Sequence, residues 1–371
     1  MKHPTPALLL LPLLTTTTTN ALTLTNRGGA SSTGNGTWTT LPDISLYPRQ
    51  EHSTVALSNS VLAIVGGVIP NTSSPVGVST TDILQLFSLP SGNSKTPLPA
   101  APLPIPLNHP NAAVVGGKLY VLGGMVDAVT SDGPAWQAVP DSFVYNPATN
   151  TWSSLPPLPA AVGEARGSAA VGVSGSVVFL AGGLRVLALL PGGAYETIDS
   201  VVAFDTLTRT WIPTLPERAR RLPESRDHAG AAVVGNTLYV LGGRTGGVLN
   251  VRDTVYALRL DPLGLIKGWV TKSARMPTAR GGLAAAAVGC TIYTFGGEGN
   301  LEPGTDGVFA DVEAYDALRD KWTKLDDMPV PRHGTYAAEA KGVVYIPGGG
   351  EVMFGGPVDV FDAFKPKKTT C

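Results

Sequence analysis

Six Gly-Gly doublets divide the chain: Gly66-Gly67, Gly123-Gly124, Gly182-Gly183, Gly242-Gly243, Gly296-Gly297 and Gly348-Gly349. Their first glycines stand 57, 59, 60, 54 and 52 residues apart. A repeat of that period is a unit of several elements that buries its apolar faces against copies of itself. Two copies are nearly verbatim, KLYVLGG at 118–124 and TLYVLGG at 237–243.

Aligning the copies on the first glycine brings out further columns. Three residues before it stand Tyr120, Tyr239, Tyr293 and Tyr345, with Phe179 in the third copy. About 26–30 residues after it comes a tryptophan: Trp152, Trp211, Trp269 and Trp322. An apolar strand such as DSVVAFD lies between them. Before the doublet, HAGAAVVGNTLYVLGG reads as two strands joined by a hairpin turn at its Gly-Asn pair. Each unit is therefore four antiparallel strands. Small residues crowd the first strand, as suits sheets that converge on an axis, and the glycines let the backbone turn where a Cβ would clash. Sheets arranged radially about an axis form a β-propeller.

The doublet with its spaced Tyr and Trp resembles the kelch repeat family, from Trp38 to Phe364. The expected fold class is all-β: a six-bladed β-propeller of four-stranded repeats. After Gly349 the chain supplies one outer strand and no tryptophan, whereas NGTWTTLP at 35–42 is a Trp strand with no doublet before it. The Trp38 strand is expected to close the ring, which removes an open sheet edge. The first blade is degenerate, with Ala63 in the Tyr column and SKTPLPAAPLP in place of the Trp strand.

The 371 residues carry 27 basic and 28 acidic side chains, a net charge of −1. No basic field exists to hold a polyanion, so nucleic acid is excluded as a partner. The N-terminus, MKHPTPALLLLPLLTTTTTNA, has a basic start, an apolar run from Ala7 to Leu14 too short for a bilayer, and small residues at Thr19 and Ala21. It reads as a signal peptide over 1–21, followed by a flexible leader over 22–34, the propeller over 35–366 and a tail over 367–371. Asn35 and Asn71 begin glycosylation sequons in Gly/Ser/Thr-rich loops. No other apolar run would span a membrane, and the tail carries no anchor signal. The expectation is a secreted, glycosylated monomer. Cys290 reads as a small buried residue in a strand and Cys371 as a tail thiol, with a disulfide between them left open. No Cys/His pattern has metal-ligand spacing, so neither metal nor cofactor is expected.

A four-stranded meander places the beginning of its first strand and the end of its second on one rim. Sixteen residues before the first glycine stand Arg166, Arg226, Arg280 and Arg332. Fourteen before it stand His52, His109 and His228, with His333 at fifteen. Just past the doublets come Arg185, Arg244, Glu298 and Glu351. Glu298 and Arg280 are the candidate catalytic pair. Arg226, His228, Arg244, Arg332, His333, Glu351 and Trp136, the last from an insertion over the same mouth, are the candidate ligand contacts. A repeating arginine has a competing structural reading, since in kelch propellers it often bonds nearby carbonyls or a carboxylate of the next blade.

The resemblance implies a small-molecule or protein ligand at this mouth, an acidic sugar or peptide being the natural partner of arginines. The alternative is an isomerase, mutarotase or cyclase acting in the channel. Galactose oxidase has a related propeller, but the cysteine–tyrosine and Tyr/His set of its copper site has no match here. The glycine pairs end strands and open no helix, which rejects dinucleotide binding.

Overall fold

The inner strand of each repeat is short and rich in Ala, Gly and Val: Ser53–Ser58, Ala112–Val115, Ala170–Ser174, Gly230–Val234, Ala284–Val288 and Ala338–Ala340. Each pairs antiparallel with the strand that leads to the doublet: Val61–Val65, Lys118–Thr130, Val177–Ala188, Thr237–Leu241, Thr291–Phe295 and Val343–Pro347. Third strands follow at Leu84–Ser88, Gly133–Asn146, Tyr195–Asp205, Val255–Arg259, Val312–Asp316 and Phe361–Pro366. The computed structural model describes residues 30–32, 34–89, 98–367 and 371. The signal peptide read at 1–21 lies outside them.

These strands make an all-β propeller whose one helix, among the described residues, is Pro262–Lys267. Four sheets hold four or more strands, where the sequence pattern called for six separate four-stranded blades. The second and third repeats form one eight-stranded sheet, because their insertions extend as long hairpins and Ala135–Gln137 pairs with Val186–Ala188. Among the described residues the first repeat has three strands, and Leu98, just past the undescribed residues 90–97, bridges Leu86. Gly36–Thr40 pairs with Phe361–Pro366, Trp38 opposite Phe364, and Ala30–Ser32, from the stretch read as leader, adds an edge strand.

Neighbouring inner strands touch in chain order, and Ala338–Ala340 touches Ser53–Ser58. They surround a cavity of about 340 Å³ lined by residues such as Val55, Ala113, Val171, Ala231 and Ala285. Larger side chains fill the spaces between sheets. Tyr239 and Tyr315, from adjacent repeats, meet edge-on at 5.8 Å, and the Trp38, Phe295 and Phe364 rings cluster. Burying each such ring contributes about 2–3 kcal/mol. The tryptophan column also tethers blades: Trp152, Trp211 and Trp269 donate their indole N–H to Ala101, Pro156 and Ala219 carbonyls about 50 residues earlier.

The doublets sit where repeats approach most closely. A Cβ on Gly296 (φ +56°) would lie 2.2 Å from the Arg332 carbonyl oxygen, and one on Gly348 (φ +60°) 2.5 Å from that of Arg49. The second glycine donates to the same carbonyl, Gly297 to Arg332 at 3.0 Å and Gly349 to Arg49 at 2.7 Å. The conformation and the close approach both demand glycine. Cys290 lies in the turn between Ala284–Val288 and Thr291–Phe295, and it is disulfide-bonded to Cys371. The pairing that the sequence left open is formed, bringing Cys371 to the fifth repeat, and Cys290, read as a strand residue, stands in the turn.

Candidate functional site

One residue per repeat, just ahead of the inner strand, adopts the left-handed conformation: Glu51, His109, Ser168, His228, Gly282 and Gly334, with φ from 48° to 62°. Hydrogen bonds chain them around the channel. His109 N donates to Glu51 O, Ser168 N to His109 O, Gly282 N to His228 O, Gly334 N to Gly282 O and Glu51 N to Gly334 O, at 2.6–3.0 Å. His228 N completes the series through the Ser168 hydroxyl at 3.2 Å. Glycine at 282 and 334 satisfies everything this backbone needs. Glu51, His109 and His228 adopt it at a cost of about 1–2 kcal/mol each, and their side chains converge.

His109 Nε2 lies 2.9 Å from His228 Nε2 and 3.0 Å from Glu51 Oε2, which is 3.7 Å from His228 Nε2. The tautomers follow from the partners behind each ring. His228 Nδ1 is 2.7 Å from Asp227 Oδ1, an acceptor, so Nδ1 carries the proton. His109 Nδ1 is 2.7 Å from Asn108 Oδ1. The Asn108 amide nitrogen donates to Thr80 Oγ1, whose hydroxyl donates to Asp127, so the amide oxygen faces His109 and its Nδ1 is also protonated. With Nδ1 of each ring engaged from behind, the two Nε2 atoms face one another and Glu51.

A second shared group adjoins this trio. Glu298 accepts from Arg244 and from Phe354 N, and its Oε1 is 3.4 Å from His333 Nδ1. His333 Nε2 donates to Val352 O at 2.9 Å. Arg244 also reaches Asp227, which further accepts from the Tyr195 and Thr197 hydroxyls. Burial alone would raise the Glu298 carboxyl, but His333 and Arg244 hold it well below the ordinary carboxylate range. Glu51 is likewise lowered against its burial by His109, His228 and His333. Burial would lower His333, yet Glu298 and Glu51 push it up to about 9. Burial, then Arg244, holds His228 below its usual value. Three carboxylates, Glu51, Asp227 and Glu298, thus surround two cations, Arg244 and His333, and a neutral His228.

The structure brings Glu298, Arg244, His228 and His333 together and leaves the other candidates elsewhere. Arg280, read as Glu298's catalytic partner, is fully buried against Glu313 at 3.0 Å and Thr294. Arg332 pairs with Asp362 and donates to the Val330, Ile346 and Gly348 carbonyls. Arg226 bonds Glu224, Thr254 and Tyr256. Each clamps the beginning of its inner strand to the third strand of its own blade, as Arg166 does to Ser200 and Arg49 to Gln85. The repeating arginine has a repeating structural task, and the guanidiniums do not line the mouth. Glu351 is exposed on the hairpin Gly350–Val352, outside the cluster. Trp136 is buried, 5.2 Å from the His109 ring with its N–H on Asp127, so it walls the site and offers no open stacking face. Asn35 is exposed; Asn71, in a turn, donates to Ser79.

Sequence reasoning missed Glu51, His109, Asp227, Asn108 and Tyr195 as members. It also expected no metal ligands, whereas Glu51, His109 and His228 converge as a set with metal-binding donors. Spacing along one segment carries no trace of this, because the three come from three repeats; the register that His109 and His228 share ahead of the doublet was the available signal, and Glu51 stands one residue out of it. A cysteine–tyrosine cofactor does not fit, since Cys290 is bonded to Cys371.

Comparison with known proteins agrees with the architecture. The KLHDC2/KLHL20/DRC7 Kelch-repeats domain model matches residues 187–367, and the Kelch motif model matches residues 106–159. The Kelch-like protein terF of Aspergillus terreus is 40% identical over 338 residues, which cover 89% of this chain and 68% of that protein. Human Kelch-like protein 34 is 30% identical over 62% of this chain, which spans 33% of its length. The solved structure of YjhT superposes with a TM-score of 0.66 at 18% identity, over 88% of this chain and 99% of that one. The similarity to terF across most of both chains, on top of the repeat columns, places this chain in the kelch repeat family.

Proposed function

We propose that this protein is a secreted, six-bladed kelch propeller that binds a small ligand in its channel, against the cluster of Glu51, His109, His228, Arg244, Glu298 and His333. The observation that carries the reading is that these six groups are buried at the channel end and take no part in the arginine clamps that build the blades. Six blades are supported by the six inner strands and by the six left-handed residues bonded in series, the eight-stranded sheet being two blades fused at their insertions. Closure by the Trp38 strand is supported by its pairing with Phe361–Pro366. An acidic ligand loses the support of the arginines, whose charges are occupied within the blades, and a small neutral or cation-assisted ligand suits the cluster better.

Thermal shift against monosaccharides, acidic sugars and acidic peptides tests the reading, since a ligand of the folded state raises Tm by mass action. Ala285→Phe, which fills the channel, should abolish the shift. A shift that survives this substitution, or an absence of binding across the panel, overturns channel binding in favour of a protein partner on the outer faces. An isomerase-type enzyme is the second reading, favoured by the two imidazoles that meet beside Glu51, groups suited to proton transfer. It requires turnover that is lost in His228→Gln with ligand binding retained. Secretion is supported by the N-terminal pattern and by the Cys290–Cys371 disulfide, which suits an oxidising compartment. Expression of the full chain, with a glycan mass shift removed in Asn35→Gln and Asn71→Gln, checks it; retention inside the cell overturns it.

A further inference from the structure

We propose that Glu51, His109 and His228 bind a single divalent first-row transition metal, of which Zn²⁺ is the type, at the end of the channel. This goes beyond ligand binding and stands independently of it.

The first support is the proton inventory. Asp227 and Asn108 each engage the Nδ1 atom of a ring, so the Nε2 atoms are what the two imidazoles present to one another, at 2.9 Å. Glu51 Oε2 lies 3.0 Å and 3.7 Å from the same two atoms, so three potential donors converge on one point. A cation between the three would be drawn by all of them at once.

Geometry supplies the second. The centre of the triangle formed by the two Nε2 atoms and Glu51 Oε2 lies about 1.9 Å from each, slightly inside metal–ligand distances of about 2.0–2.2 Å. An ion just above that plane would be bound by one face of a coordination polyhedron, the two-histidine, one-carboxylate arrangement that leaves further positions open. A small cavity of about 10 Å³ beside Glu51 and His228, bordered also by Ser168, Gly282 and Gly334, has room for about one water.

The third support is placement. Hydrogen-bonded acceptors behind metal-bound imidazoles are the usual means of fixing the ring and its tautomer. Both histidines have one, and Asp127 behind Thr80 extends the His109 chain. Glu51 turns its other oxygen to His333 at 3.8 Å, which leaves Oε2 as the single carboxylate donor. The equivalent positions in the fifth and sixth repeats are glycine, so the fold itself did not require these donors.

The test uses the full-length purified protein, stripped with a chelator, equilibrated with ZnCl₂ and freed of excess metal by gel filtration. Elemental analysis should find one zinc per chain, and X-ray absorption at the zinc edge should show only nitrogen and oxygen ligands. Glu51→Gln, His109→Gln and His228→Gln should each lose the bound zinc, and Glu351→Gln, outside the cluster, should keep it. If the histidine variants fail to fold, Glu51→Gln and the absorption spectrum decide alone. A folded wild-type protein that takes up no zinc, or zinc that survives all three substitutions, overturns the proposal; the first outcome means that a proton joins the two rings. Ligand shifts measured on the stripped protein separate this result from channel binding.

Discussion

The Nε2 atoms of His109 and His228 face each other across 2.9 Å while the Nδ1 atom of each ring is already bonded to an acceptor. Their orientation is set from behind, by Asn108 for one and Asp227 for the other. Asn108→Ala should weaken zinc binding by about 10–100-fold, the usual effect of removing a group that orients a metal-bound histidine. Competition titration against a chromophoric chelator measures it, with circular dichroism confirming the fold.

Arg332 is buried with Asp362 at 2.9 Å and three backbone carbonyls. Arg332→Met leaves that carboxylate buried without its partner and should cost about 3–5 kcal/mol in urea unfolding. Arg332→Met combined with Asp362→Leu should recover part of the loss. Equal losses in the single and double variants would remove the ion pair as the cause.

Gly296 stands with φ +56° against the Arg332 carbonyl. Gly296→Ala forces a left-handed alanine into that contact and should lower stability by more than about 1 kcal/mol. Gly235, also left-handed but with open space around its Cβ position, isolates the conformational part. Gly235→Ala should cost less, by differential scanning calorimetry.

The Glu224 carboxyl is held down to about 2, first by hydrogen bonds from Arg252 and then, against its burial, by Arg226. Its folded value lies below the ordinary 4.5, so the unfolded chain binds more protons between those limits. The stabilisation is complete above the upper value and is lost as pH falls toward about 2. Glu224→Gln should flatten the acid limb of a Tm–pH profile and leave the neutral limb parallel to wild type. The side chain is 38% exposed, so solvent screening keeps the effect small.

The Cys290–Cys371 disulfide spans 81 residues of sequence. Replacing both cysteines by serine should lower stability by about 2–4 kcal/mol. Chemical denaturation with and without reductant should give the same difference on the wild-type chain.

The blades were legible because glycine, tyrosine and tryptophan recur at fixed offsets, and each offset reflects one contact made in successive repeats. The arginine column was equally visible, but its role depends on burial, which a column does not report. Arg49 and Glu51 escaped because the first repeat is out of step by one residue, where the pairing of Ser53–Ser58 with Val61–Val65 shifts between Ala56 and Ser58. Asn108 and Asp227 share a register fifteen before the first glycine, but Gly167, Gly281 and His333 fill it in other repeats, so no column stands out, and Tyr195 belongs to a single insertion. The fusion of two blades was hidden in the insertions, whose pairing is with each other and not with the repeat.

The hydrogen bond from Glu51 N to Gly334 O joins residues 283 positions apart. A ribosome delivers Glu51 with the first repeat and Gly334 with the sixth, so the first donor of the cluster stays unseated until the six repeats have been made. A truncated or nicked chain could fold several repeats correctly and still present His109 and His228 without their carboxylate. Metal uptake at the proposed site would therefore distinguish a finished molecule from a nearly finished one, a property that a quality-control step sensitive to bound metal could read.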